Sequence, residues 1–109
     1  WEMEFSWPCS IKDIKNISTN FEAKQIYQNK STEVIILTLA PGESIKKHTN
    51  LSTIFFHILE GNGNIRINDK LFKVKHGDFF TLSHKDEREW INNTNDKLVI
   101  LIIKELNFN

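Results

Sequence analysis

PGESIKKHTNLSTIFFHILEGNG, residues 41–63, is the stretch from which the rest of the chain is read. Pro41-Gly42 marks a turn, because proline presets one backbone angle and glycine supplies the angle other residues avoid. Ile45 to His48 is predicted as a short strand and Ile54 to Leu59 as another, with Gly61-Asn62-Gly63 punctuating the chain after it. His48 and His57, separated by an apolar strand, have the look of a metal site. Period-two alternation argues against pairing them. Ile54, Phe56 and Ile58 share one face of their strand, while Phe55, His57 and Leu59 share the other.

Outward from this stretch the same pattern recurs. Ala23 to Tyr27 reads as a first strand, KSTE as a turn, and Val34 to Leu39 as a strand buried on both faces. NIRIN and Leu71 to Val74 flank Asn68-Asp69, which reads as a hairpin tip. His76-Gly77-Asp78 turns into Phe79 to Leu82. The charged segment HKDERE leads to Trp90-Ile91, and Asn92 to Asp96 turns into Leu98 to Ile103. Residues 10–20 are polar, with Ile11, Ile14 and Ile17 recurring, and read either as a short helical turn or as a loop draped on the body. Eight or more short strands and no long helix predict an all-β sandwich or barrel. Phe55, Phe56, Phe72, Phe79 and Phe80 are expected to pack its core and the space between its sheets.

The 109 residues are expected to form one domain, 1–109, with residues 1–20 as an N-terminal extension. Fourteen basic residues balance fourteen acidic ones, and neither half of the chain carries an excess. That leaves no basic tail to gather phosphates, so no nucleic-acid partner is expected. The longest apolar runs, VIIL and LVILII, are too short to span a bilayer, and the first ten residues lack the basic and apolar regions of a secretory signal. A cytoplasmic protein without a membrane partner is the expectation. Cys9 is the single cysteine, so no internal disulfide can form.

At this point the chain resembles the cupin superfamily. Pro41-Gly42 followed after five residues by His48 is similar to the opening of the first cupin motif, and ILEGNG to its glycine turn. Gly77-Asp78-Phe79-Phe80-Thr81-Leu82 resembles the start of the second motif, which Asn92 would end. The resemblance covers about residues 34–103. It implies an antiparallel double-stranded β-helix, or jelly-roll barrel, often a homodimer, with a central pocket that usually holds a divalent metal.

Carried across position by position, the resemblance keeps His48 alone among the metal ligands. The second histidine position is Asn50, the glutamate position Ile54, and the second-motif histidine position Arg88. An isoleucine offers no donor, and a guanidinium repels a cation. No cofactor and no metal are therefore expected, and His48 with His84 is the fallback pair for a metal with unorthodox ligands. Arg88 turns the preference of the pocket toward an anion such as a carboxylate or phosphate.

His48, Asn50, Arg88, Trp90 and Asn92 are the candidate ligand-binding residues. Arg88, Trp90 and Asn92 alternate onto one face as an anion clamp, a flat wall and an amide. The alternative keeps KDERE as a solvated loop and Trp90 as core. His48 reads either as a hydrogen-bonded residue at the barrel mouth or as a ligand-binding or acid–base group. Three functions follow: a cupin binding a small polar or anionic molecule, a metal-independent sugar or keto-compound isomerase or epimerase with His48 as base, or a divalent-metal cupin. Phosphate loops, nucleophile elbows and zinc-finger spacing are absent from the sequence.

Overall fold

The structure, a computed structural model, describes residues 8–48 and 52–106, with the side chains of Lys47 and His48 outside that description. The strands are β1 (Glu22–Gln28), β2 (Thr32–Leu39), β3 (Ser44–His48), β4 (Thr53–Glu60), β5 (Asn62–Ile67), β6 (Lys70–Lys75), β7 (Phe79–Leu82), β8 (Arg88–Ile91) and β9 (Leu98–Glu105). They form two antiparallel sheets, a five-stranded one in the order β1-β2-β9-β4-β7 and a four-stranded one in the order β3-β8-β5-β6. This is the double-stranded β-helix expected from the sequence. The polar N-terminal stretch is a single 3-10 turn over Ile11–Asp13, followed by an extended loop.

Alternation builds the core. Ile35, Leu37 and Leu39 of β2 face inward beside Leu98, Ile100 and Ile102 of β9, and Ile54, Phe56 and Ile58 of β4 follow across the sheet. From the opposite sheet Ile65, Val74 and Trp90 close on them. The β2–β9 ladder runs without a bulge from Thr32 opposite Glu105 to Leu39 opposite Leu98, which fixes the face each residue takes. Ile35, Ile36 and Leu37 are all buried, so burial on both faces of this strand holds for its centre.

The turn signals have specific physical causes. Asn68 and Asp69 both have positive φ, as a two-residue hairpin that matches strand twist requires. Gly61 has φ +85°, and a Cβ there would meet the Lys97 carbonyl oxygen. No other residue fits that position without displacing backbone.

One expectation about packing needs correction. Phe56 is fully buried, but Phe79 is 69% exposed and Phe72 40% exposed. Both belong to strands at the edge of a sheet, β7 and β6, where single neighbours, Phe55 beside Phe79 and Lys70 over Phe72, cover them only in part. A phenylalanine in a strand reports its face by alternation, but not whether a neighbouring element lies on that face.

Candidate ligand cavity in the barrel

Strand β8 carries the centre of the site. Arg88 and Trp90 lie on its inward face and are 6% and 1% exposed. The strand is hydrogen-bonded between β3 and β5: Trp90 pairs with Ile45 and Ile65, and Arg88 with His48 and Ile67. His48 therefore stands beside Arg88 in the ladder. Its side chain and the whole of Asn50 lie outside the described residues.

A hydrogen-bonded clasp sets where β8 begins. Asn68, at the β5–β6 hairpin tip, donates its amide to Asp86 Oδ1 at 2.8 Å and accepts from the Glu87 N–H at 2.9 Å. Asp86 Oδ2 in turn accepts from the Ser83 N–H and hydroxyl. The backbone bond from Ser83 and the amide of Asn68 hold the Asp86 carboxyl below its ordinary pKa. This clasp turns the charged segment sharply enough for Arg88 to enter the barrel. His84 is exposed at the tip of the same turn.

Arg88 enters a cavity of about 260 Å³ lined by Phe21, Ala23, Ile35, Leu37, Ile45, Phe56, Trp90 and Ile102, with Ile17 and Ser18 at one side and Lys104 beside Glu33. Among the described residues no carboxylate or other acceptor pairs with the Arg88 guanidinium, whose only assigned contact is the face of Phe56 at 5.6 Å. Burial pushes the Arg88 pKa down from its ordinary value, yet arginine stays protonated. A desolvated cation–π contact is worth about 2 kcal/mol. Full removal of a charge from water costs several kcal/mol; the guanidinium nitrogens keep some access through the cavity, and the ring offsets part of the reduced cost. Among the described residues the cavity holds this cation without a counter-ion.

The other charges belong to the strand ends. Lys104 lies opposite Glu33 in the β2–β9 ladder, and their side chains are 3.6 Å apart. Gln25 also donates to Glu33, so that carboxylate is engaged from both sides. Sequence reasoning passed over Lys104 and Glu33. Period two would have found them, since Lys104 continues the inward row of Leu98, Ile100 and Ile102, and Glu33 that of Ile35, Leu37 and Leu39.

Ser18 and Phe21 reach the cavity through a small knot of hydrogen bonds. Asn16 Oδ1 accepts from Ala23 N–H at 2.6 Å, its amide donates to the Phe21 carbonyl at 3.1 Å, and Ile17 N–H donates to the Ala23 carbonyl at 2.7 Å. The loop is thereby held beside β1, with Ile17, Ser18 and Phe21 on the cavity lining. On the other side Phe80 stacks on Phe56 and Trp90 meets Phe56 edge to face, with centroids 5.1 and 5.3 Å apart. This aromatic group separates the cavity from a second cleft of about 510 Å³ between the β6 and β7 edges.

Asn92 is brought close in sequence to Arg88 and Trp90, but it does not line the cavity. Its amide donates to the carbonyls of Leu39 and Asp96, both at 2.9 Å, and its Oδ1 accepts from the Thr94 N–H and hydroxyl. Its backbone carbonyl accepts from Gly42 N–H, and its N–H donates to the Glu43 carbonyl. Asn92 thus ties the Pro41-Gly42 turn to the start of β9, and every polar group of its side chain is used in doing so.

His57 faces outward between Leu101 and Phe79 in the ladder, away from the cavity. Among the described residues no group of three or more His, Cys, Asp or Glu side chains could hold a metal ion. The donor chemistry agrees: Ile54 is a buried hydrocarbon, and Arg88 brings a positive charge to the same interior. These residues do not fit a divalent metal.

Residues 35–104 match the cupin domain family, and the chain belongs to that family. The fold is shared with the polyketide cyclase RemF from Streptomyces resistomycificus, at 11% identity and a TM-score of 0.83, covering 94% of this chain and 81% of that one. A predicted oxalate decarboxylase from Thermotoga maritima is 22% identical with a TM-score of 0.79, covering 90% and 97% of the two chains. The cupin domain of Schizosaccharomyces pombe Cnp3 is 13% identical with a TM-score of 0.80, covering 90% and 72%. These likenesses establish the fold. No curated protein matches the sequence. No helix among the described residues is long and apolar enough to cross a membrane.

Proposed function

We propose that this cupin binds a small anionic molecule inside the barrel, with Arg88 as its charge partner and Trp90 as part of the wall. The observation that carries this reading is the buried guanidinium of Arg88, facing a cavity with no counter-ion among the described residues. An anion there would compensate the charge through charge-assisted, forked hydrogen bonds. His48, beside Arg88 in the ladder, and Asn50, two residues on, complete the proposed site. A thermal-shift screen of carboxylates and phosphates tests it. Stabilising compounds should lose their effect in Arg88→Ala, and hits of unchanged size in that variant would place binding elsewhere.

The protein is further proposed to act as a homodimer through the outer face of the five-stranded sheet. Tyr27, Val34, Ile103 and Phe55 form one cross-sheet row there, and Leu101, His57 and Phe79 extend the next. Phe79 stacks on Phe55 with centroids 6.0 Å apart while remaining largely exposed. A formal net charge of zero puts no overall repulsion between two copies, which favours a second copy as the occupant of this face.

A further inference from the structure

The charges and the lining of the cavity together narrow the ligand. We infer that the ligand is a monocarboxylate with a compact apolar body, a single ring or a short branched chain, and not a sugar or a phosphate ester. This rests on the proposal that Arg88 binds an anion.

The head group follows from counting charge. Arg88 and Lys104 bring two positive charges to the wall, and Glu33, 3.6 Å from Lys104, removes one. The described residues leave one net positive charge, centred on Arg88. A monoanion satisfies it. A phosphate monoester near neutrality carries between one and two negative charges and would bring an excess into an apolar chamber. The planar fork of the guanidinium also matches the two oxygens of a carboxylate in one plane.

The body follows from the rest of the lining. Among the described residues, beyond Arg88, Lys104 and Ser18, the wall consists of Ile17, Phe21, Ala23, Ile35, Leu37, Ile45, Phe56, Trp90 and Ile102. A sugar would bring several hydroxyl groups, and among the described lining residues Ser18 is the one neutral polar partner; even with His48 and Asn50 of the proposed site counted, most hydroxyls would be buried without a partner, which counts against binding. Hydrocarbon gains there instead, with each buried methylene worth about fourfold in affinity. The volume limits its size, since about 260 Å³ is just below the ~300–1,000 Å³ of typical small-molecule sites. The flat faces of Phe56 and Trp90, 66° apart, suit a ring inserted edge-on to one and face-on to the other.

The test is a titration of the full chain, followed by amide chemical shifts, with benzoate, benzamide, acetate and inorganic phosphate. Benzoate should saturate at one site per chain and perturb residues around Arg88 and Trp90. Benzamide, acetate and phosphate should each bind at least tenfold more weakly. Arg88→Met should weaken benzoate roughly 10–100-fold, the loss expected for hydrogen bonds to a buried charge. Phe21→Ala should weaken benzoate while leaving acetate unchanged, because only the body loses contact. If benzamide bound as well as benzoate, the anion reading and this inference would both fall. If acetate or phosphate bound as tightly as benzoate and depended on Arg88, the anion site would stand and the ligand class argued here would be wrong. Absence of saturation by every probe would overturn both.

Discussion

The guanidinium carbon of Arg88 lies 5.6 Å from the centroid of the Phe56 ring, and that ring is itself wholly buried. The two residues occupy opposite sheets, so a charge is held against the inner wall of the barrel by a neutral aromatic face. An arrangement of this kind costs stability in the free protein. Replacing even a buried ion pair with hydrocarbon of similar volume is often neutral or stabilising by about 1–4 kcal/mol, and a charge with no ionic partner has less attraction to lose. Arg88→Met should therefore raise the ligand-free stability by on the order of 1 kcal/mol, the cation–π contact offsetting part of the gain. Urea unfolding monitored by Trp fluorescence measures it. A clear loss of stability would mean that the charge is compensated in the free protein.

Asn92 makes the opposite case, a buried polar side chain with all its hydrogen-bonding capacity used. Asn92→Ala removes four hydrogen bonds and leaves the Leu39 carbonyl without its side-chain donor. Stability should fall by about 2–4 kcal/mol. A loss under about 0.5 kcal/mol in urea unfolding would show that the Pro41-Gly42 turn and the Asn92–Asp96 turn hold without the clasp.

Asp86 should make part of the stability depend on pH. Its carboxylate is favoured in the folded chain, by the Ser83 N–H first and the Asn68 amide second. The folded pKa is thus below the unfolded one, and protonation opposes folding. The contribution is whole above about pH 4, the ordinary aspartate range, and disappears as the pH falls through the lower folded value. The difference in urea midpoint between the native sequence and Asp86→Asn should accordingly shrink between pH 5 and the acid limit. A difference that stays constant with pH would assign the loss in the variant to something other than the carboxylate's charge.

Phe79 offers a test of the dimer that does not touch the barrel interior. It is 69% exposed on the edge strand β7, so Phe79→Lys should change stability by no more than about 0.5 kcal/mol. Light scattering during size exclusion should give the mass of two chains for the native sequence and of one for the variant. A native sequence that runs as a single chain at high concentration would end the proposal.

The positions of the nine strands among the described residues were legible because local signals specify them. Two-residue alternation marks a strand, and Pro41-Gly42, Asn68-Asp69 and His76-Gly77 mark its ends. The cupin motifs could be recognised for a related reason. Their glycine turn and the final Asn92 are architectural: Gly61 avoids the Lys97 carbonyl, and Asn92 clasps the first motif to the last strand. Those residues persist in this chain even where the ligand positions hold Asn50, Ile54 and Arg88.

The sequence by itself determined the strands, their turns, the family and the shared face of Arg88 and Trp90, because each depends on neighbours a few residues away. Tertiary structure alone decided what lies over each face. It buried Arg88, from a segment that reads locally as solvated charge, by clasping Asn68 to Asp86 eighteen residues on. It also brought Phe21 and Lys104, from opposite ends of the chain, to one cavity wall, assigned Asn92 to the clasp, and left Phe79 in the open. Alternation tells a residue which way to point; whether it meets water, hydrocarbon or a cavity depends on elements distant in sequence, which period and propensity do not encode.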